Sequence, residues 1–220
     1  MTAINACVTP GGDIGYLVCD SATYFPRENI LRGHAAKAMT FPHAKTVLAI
    51  RGSALWVGPL HTIAGAFLTF DEITKFLPAA MMQTLPQMAT LIGDDDVEVV
   101  VLGWSPAARR MRLFLAKRGN QFEPEFAPIV TAPDLDLGQL AQLGLAGRDG
   151  GMRFRDPPHD LLKMMHLQRE IAAAIPAGDP RAGIVGGHAV LTQVSEHTIS
   201  QRILFVAWQD VVGEPVAGAA

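Results

Sequence analysis

Cysteine is scarce in this sequence: Cys7 and Cys19 are its only thiols. A Thr9-Pro10-Gly11-Gly12-Asp13 turn between them sets a hairpin register with Cys7 opposite Tyr16 and Cys19 opposite Ile4. The two are then not cross-strand partners, and a reduced, cytoplasmic protein is the expectation. None of the seven histidines forms a ligand pair with suitable spacing, so neither structural zinc nor any other metal is expected. Charge is also sparse, at 18% of residues with a formal net charge of −3. No Lys/Arg-rich block occurs, which argues against nucleic acid or an anionic membrane as partner. No apolar run is long enough to span a bilayer. The opening MTAINACVTPGG lacks a basic leader and an apolar signal core, so no export is expected. Gly150-Gly151 and Gly186-Gly187 lack the strand–helix setting of phosphate loops. No organic cofactor is expected. Internal repeats and low-complexity linkers are absent as well.

What is abundant is apolar surface: 49% of the 220 residues are hydrophobic. That supports a large core in a single domain over residues 1–220 and excludes a disordered chain. Residues 3–8, 14–19 and 46–51 read as short strands whose apolar runs do not alternate, as when both faces are covered. Between 57 and 92 the period becomes helical. Leu60, Ile63, Ala64, Phe67 and Leu68 form one apolar face; Ile73, Phe76, Leu77, Ala80, Met81, Thr84 and Leu85 form another. Pro78 and Pro86 predict kinks or breaks. Asp94-Asp95-Asp96 reads as a solvated turn before a hairpin of 97–104 and 111–116. A strand over 126–131 and a short helix capped by Asp134 follow, then a loop over 144–158. Asp160–Ala174 predicts a helix with Leu161, Met164, Met165, Ile171 and Ile175 inward and Lys163, Arg169 and Glu170 on its charged side. A hairpin of 188–194 and 202–208 closes the chain before a loose tail at 211–220. Helices grouped between blocks of antiparallel strands point to a layered α+β fold.

The chemistry-bearing residues gather near the start. Removal of Met1, expected before a small second residue, would leave Thr2 with a hydroxyl and a free α-amine. A hydroxyl is a weak nucleophile without a base beside it. An α-amine of ordinary pKa about 7.7–8.0 is partly neutral near neutrality and can take that proton, then return it to a leaving group. Asp20 ends the second strand and can orient a cation. Lys37 and Lys45 compete for the lysine that would favour a deprotonated hydroxyl; Lys37 is favoured by its distance before Gly52. Gly52 offers a backbone N–H to an oxyanion. Ser53 either joins it or caps the next helix, and Ser21 either lines the site or completes a turn after Asp20.

The run TAINACV–turn–IGYLVCDSATY, a following lysine, and a strand ending in Gly-Ser-Ala before a helix together resemble the N-terminal half of proteasome β-type subunits. HslV-like and Anbu-like peptidases belong to the same N-terminal-nucleophile (Ntn) hydrolase group. The resemblance implies a four-layer αββα sandwich, with two antiparallel sheets between helical layers. It implies Thr2 as nucleophile, Asp20 and Lys37 as its catalytic partners, and Gly52 in the oxyanion and substrate segment. Peptides or small amides would be the substrates, and self-assembly into a homo-oligomer is implied, with the helix pair at 57–92 as a contact surface. The motif likeness covers about the first 55 residues. Two positions depart from the family pattern. Val130-Thr131-Ala132-Pro133-Asp134 stands where the family has a Gly-Ser-Gly-type segment. Val185, not serine, precedes Gly186-Gly187, with Asp179 the nearest acid. These departures keep a second expectation open, a catalytically silent sandwich that serves as a scaffold or assembly partner.

Overall fold

A computed structural model describes residues 2–25, 30–92, 97–147, 152–175, 185–205, 208 and 210–214. Strands β1 (Ile4–Val8) and β2 (Ile14–Asp20) form the first hairpin, with Cys7 opposite Tyr16 and Ile4 opposite Cys19 as the turn predicts. The turn closes because Gly12 N–H donates to the Thr9 carbonyl at 2.8 Å and Thr9 N–H to that of Ile14 at 2.9 Å. Gly12 has φ +75°, a conformation that favours glycine.

Three short strands that the sequence pattern did not announce come next: β3 (Ala22–Phe25), β4 (Ile30–His34) and β5 (Ala38–Phe41). β6 is Thr46–Arg51, and helices α1 (Val57–Gly65) and α2 (Phe70–Ile92) follow it. Then come β7 (Glu98–Ser105), β8 (Arg110–Lys117), β9 (Glu125–Phe126) and β10 (Ile129–Ala132). Helices α3 (Leu137–Gln142) and α4 (Pro157–Ala173) precede the last hairpin, β11 (Ala189–Ser195) and β12 (Ile199–Phe205).

The strands make two five-stranded antiparallel sheets, ordered β10-β1-β2-β11-β12 and β5-β6-β7-β8-β9, and β3 pairs with β4. Among the described residues both large sheets have open edges, so neither is a barrel. The fold is mixed α+β. Alternate residues of one strand enter different apolar clusters. Val99 and Val101 of β7 join Leu60, Phe70, Ile73, Leu77 and Met81 of α1 and α2. Val100 and Leu102 join Ile4, Ala6, Leu17 and Cys19 of the other sheet. On that sheet's far face, Cys7 and Val18 meet Leu161, Met164 and Met165 of α4. Burial on both faces is why these strands show no hydrophobic alternation.

Several expectations need correction. Of the kinks or breaks expected at Pro78 and Pro86, the breaks do not occur: α2 continues through both. Its buried Phe70, Ile73, Leu77, Met81 and Met88 gain about 1.5–3 kcal/mol each on burial, which outweighs about 3 kcal/mol per interior proline. Leu68 and Phe76 are exposed rather than inward. The strand expected over 126–131 is two strands separated by Pro128; β9 pairs with β8, whereas β10 pairs with β1. Asp136, not Asp134, caps α3: its carboxylate accepts from Gln139 N–H at 2.8 Å while the Gln139 side chain accepts from Asp136 N–H. Ile171 and Ile175 are only half-buried. Arg169 turns away from solvent to pair with Asp210. The tail begins by docking on β4, with Gly213 N–H on the Leu31 carbonyl and Leu31 N–H on that of Glu214. Asp94–Asp96, Asp179, part of the 144–158 loop and the tail beyond Glu214 lie outside the described residues. No described helix is long and apolar enough to cross a membrane.

Candidate functional site

The sheet registers bring distant segments to one end of the first sheet. Ala132 faces Ile4 at the start of β1, Cys19 also faces Ile4, and Ala189 at the start of β11 faces Asp20. Asp20 ends β2 with a side chain closed to solvent. One of its oxygens, Oδ1, accepts the Ala3 N–H at 2.9 Å. The other, Oδ2, accepts Lys37 Nζ at 2.8 Å and Gly186 N–H at 3.3 Å. Asp20 N–H in turn donates to the Ala3 carbonyl at 3.3 Å. The residue after Thr2 is therefore held by Asp20 through both backbone and side chain. Thr2 itself is 7% exposed in the chain that carries Met1.

Lys37 lies just before β5, whose first residue Ala38 pairs with Ala49 of β6. Its side chain is 10% exposed, so the ion pair is weakly screened and its geometry is fixed by the remaining bonds on Asp20. Lys45 sits at the opposite end of β6 from Gly52 and donates to the Glu196 carbonyl. Of the two competing lysines, Lys37 is the one brought to Asp20.

Gly52 follows β6 with φ +129°. Ser53 caps the 3-10 turn Ala54–Trp56, its hydroxyl accepting from Leu55 N–H at 3.4 Å. Ser21 is buried and turns to another group of residues. Its Oγ accepts the His188 N–H at 2.8 Å and lies 3.4 Å from His34 Nδ1. The His34 and His188 rings stack with centroids 4.5 Å apart. Thr131, in the segment singled out for its departure from Gly-Ser-Gly, is 8% exposed and accepts Leu135 N–H at 3.1 Å.

Sequence reading missed the Gly186 amide on Asp20, because a backbone donor 166 residues away leaves no mark in a side-chain pattern. It also missed the pair formed by Arg169 and Asp210, whose side chains are 14% and 0% exposed. The Gly186-Gly187 doublet was the available signal. A Cβ on Gly187 would lie 2.5 Å from Ser21 Oγ and 2.6 Å from His34 Nδ1, and its φ is +75°.

This arrangement supplies a fixed ammonium, a desolvated carboxylate and a tethered Ala3, the residue next to Thr2. Among the described residues, no three His, Cys, Asp or Glu side chains gather as they would around a metal ion. Neither a family model nor any curated protein matches the chain.

Proposed function

We propose that this chain is a threonine-type Ntn hydrolase that cleaves amide bonds through an acyl-ester on Thr2. The observation that carries the reading is the Asp20 carboxylate, which accepts the Ala3 amide and the Lys37 ammonium at once. Removal of Met1 frees the Thr2 amine. The amine takes the hydroxyl proton as Oγ bonds to the substrate carbonyl carbon. The ammonium of Lys37, held by Asp20, lowers the cost of charge on that oxygen, and Gly52 N–H is assigned to the carbonyl oxygen as it becomes an oxyanion. The proton passes to the departing amine, the C–N bond breaks, and water then cleaves the ester.

Three apolar clusters, one between the sheets and one on each outer face against helices, support the finer architecture of a four-layer αββα sandwich. Peptides and small amides are both compatible with this chemistry. Exposed Leu68, Phe76, Met82 and Leu91 on the α1–α2 side support assembly with further copies of the chain. A second reading, a silent scaffold, is favoured by Val185, a buried apolar side chain where the family carries serine.

Intact mass and an electrophilic β-lactone probe separate the two. The hydrolase reading expects a chain that starts at Thr2, takes one equivalent of probe there, and loses labelling in Thr2→Ala while keeping its circular dichroism. Retained Met1, or labelling that survives Thr2→Ala, sinks Thr2 as nucleophile.

A further inference from the structure

The segment Val185–His188 is held in a way that packing alone does not require. Its three successive amides donate to three different side chains: Gly186 N–H to Asp20 Oδ2 at 3.3 Å, Gly187 N–H to Asp210 Oδ2 at 2.9 Å, and His188 N–H to Ser21 Oγ at 2.8 Å. The Gly186 carbonyl accepts from Ala22 N–H at 3.1 Å. Arg169, on α4, grips the same stretch from outside. It forms a two-pronged ion pair with Asp210, Nη2–Oδ1 at 2.6 Å and Nη1–Oδ2 at 2.9 Å. The same Nη1 donates to the Val185 carbonyl at 2.5 Å.

We infer that Arg169 and Asp210 are positioning residues for the Asp20–Lys37 pair. They act through the backbone of Gly186 and Gly187, and the inference rests on the threonine-hydrolase reading. The planar guanidinium fixes Asp210 in one orientation, because both prongs must be satisfied together. Asp210 then fixes the Gly187 amide, and Arg169 fixes the Val185 carbonyl. Gly186 lies between these two anchors, so its N–H is aimed at the oxygen of Asp20 that also receives Lys37. The glycine doublet answers to the same clamp. A Cβ on Gly186 would stand 2.7 Å from Asp210 Oδ2 and 3.1 Å from Arg169 Nη1. The side chain at position 185 is apolar, and the clamp anchors this stretch through the backbone carbonyl instead. Small displacements of a group that holds a reacting centre are costly, since a misplacement of about 1 Å can cost about a hundredfold in rate.

The test uses the full-length protein and the saturable rate of β-lactone acylation at Thr2, in wild type, Arg169→Ala and Asp210→Asn. The expected result is a maximal acylation rate lowered about tenfold or more in both variants, with half-saturating probe concentration within about twofold of wild type. Guanidinium at a sub-denaturing concentration should restore the Arg169→Ala rate and leave Asp210→Asn unchanged, a response that a merely loosened fold would not give. Labelled wild type with unchanged rates in both variants overturns the positioning assignment alone. A loss in Arg169→Ala that guanidinium does not restore also overturns it, since Arg169 would then serve only the fold. A wild-type chain that starts at Thr2 and takes no label overturns the hydrolase reading, and this inference with it.

Discussion

Asn5 and Gln168 bond to each other twice across a buried contact. Asn5 Nδ2 donates to Gln168 Oε1 at 2.8 Å, and Gln168 Nε2 donates to Asn5 Oδ1 at 3.1 Å. The pair fastens β1 to α4 three residues after Thr2, and Gln168 is the neighbour of Arg169. One helix thus holds both the start of the chain and the Val185–Gly187 segment. Gln168 Nε2 also donates to the Pro133 carbonyl at 2.7 Å, which makes the pair asymmetric. Asn5→Leu strands one amide and is expected to cost about 1–3 kcal/mol, because buried polar groups left unpaired bear their full desolvation penalty. Gln168→Leu should cost more, since it strands the Asn5 amide and the Pro133 carbonyl together. The double variant should be more stable than the sum of the two losses predicts, by about 1 kcal/mol or more. Urea unfolding of the four proteins measures this; strictly additive losses would show that the two amides are not coupled.

The legible parts of the fold are those decided by local chemistry. The Pro-Gly-Gly-Asp turn fixed the Cys7–Tyr16 register, and the apolar run Thr46–Arg51 matched β6 at both ends. What escaped was set by tertiary contact. β3, β4 and β5 are four or five residues each, too short for a period to emerge. Pro128 divides a run that looked continuous, because each half pairs with a different sheet. The α3 cap was within reach: Gln139 stands three residues after Asp136, the capping-box spacing, whereas Leu137 stands three after Asp134. Residue type and order single out Asp20 and Lys37, whose side chains pair in the fold. Arg169 was assigned to solvent because its partner lies 41 residues further on, and no pattern within a helix reports such a partner.

Two glycines between packed layers should respond differently to alanine. A Cβ on Gly103 would lie 2.5 Å from both Phe70 Cδ2 and Thr46 Oγ1 and 3.1 Å from the Lys45 carbonyl oxygen. Phe70 is fully buried, and the carbonyl belongs to the Trp104 N–H···Lys45 bond, so neither can yield easily. The three nearest atoms to a Cβ on Gly15 all belong to the Leu102 side chain, with Cδ1 at 2.5 Å, and no backbone carbonyl stands among them. Gly103→Ala is expected to lose about 1–3 kcal/mol, the usual range for overpacking, and Gly15→Ala less. Thermal or urea unfolding ranks them, and an equal or reversed order would refute the reasoning.

Asp160 should make the N-terminus of α4 sensitive to acid. Asp156, at the cap position, makes no side-chain cap bond. Asp160 instead reaches back, its Oδ2 accepting the N–H groups of Arg155 at 2.9 Å and Asp156 at 3.2 Å, while Oδ1 meets Lys163 Nζ at 3.0 Å. Burial raises its carboxyl pKa, but the Lys163 bond, the two amides and the Lys163 charge outweigh that and leave it below the ordinary value. The folded state therefore binds this proton less readily than the unfolded one. The contribution is present above the unfolded value of about 3.9 and fades as pH falls through the lower native value. Asp160→Ala should be less stable than wild type by about 1–2 kcal/mol at neutral pH. The gap should narrow progressively once the pH drops below about 4. Unfolding midpoints compared at neutral and acid pH test it, and a gap that does not narrow would remove the carboxylate from the explanation.

The two thiols should be inert in the native protein, and their order of exposure should report how the sheet opens. Burial, and next the charge of Asp160, push Cys7 up to about 12. Burial also raises Cys19, with Asp20 adding to the effect and Lys37 opposing it. Alkylation proceeds through the thiolate, and burial keeps Cys7 in the unreactive thiol form near pH 8. The cysteines also point to opposite faces of their sheet, Cys7 toward α4 and Cys19 toward the second sheet, so oxidant should not join them. Cys19 lies on β2, paired on one side with β1 and on the other with β11. Cys7 lies on β1, whose outer neighbour is the four-residue edge strand β10. Iodoacetamide should leave both untouched without denaturant and modify both in strong urea. In weak urea Cys7 should react first, because losing β10 uncovers β1, whereas Cys19 must wait for cooperative unfolding of the sheet. Mass spectrometry of the alkylated peptides reads the order. Should Cys19 react first, the end of β2 that carries Asp20 would be the least stable part of the sheet, and the tethering of Ala3 by Asp20 would lose its physical basis.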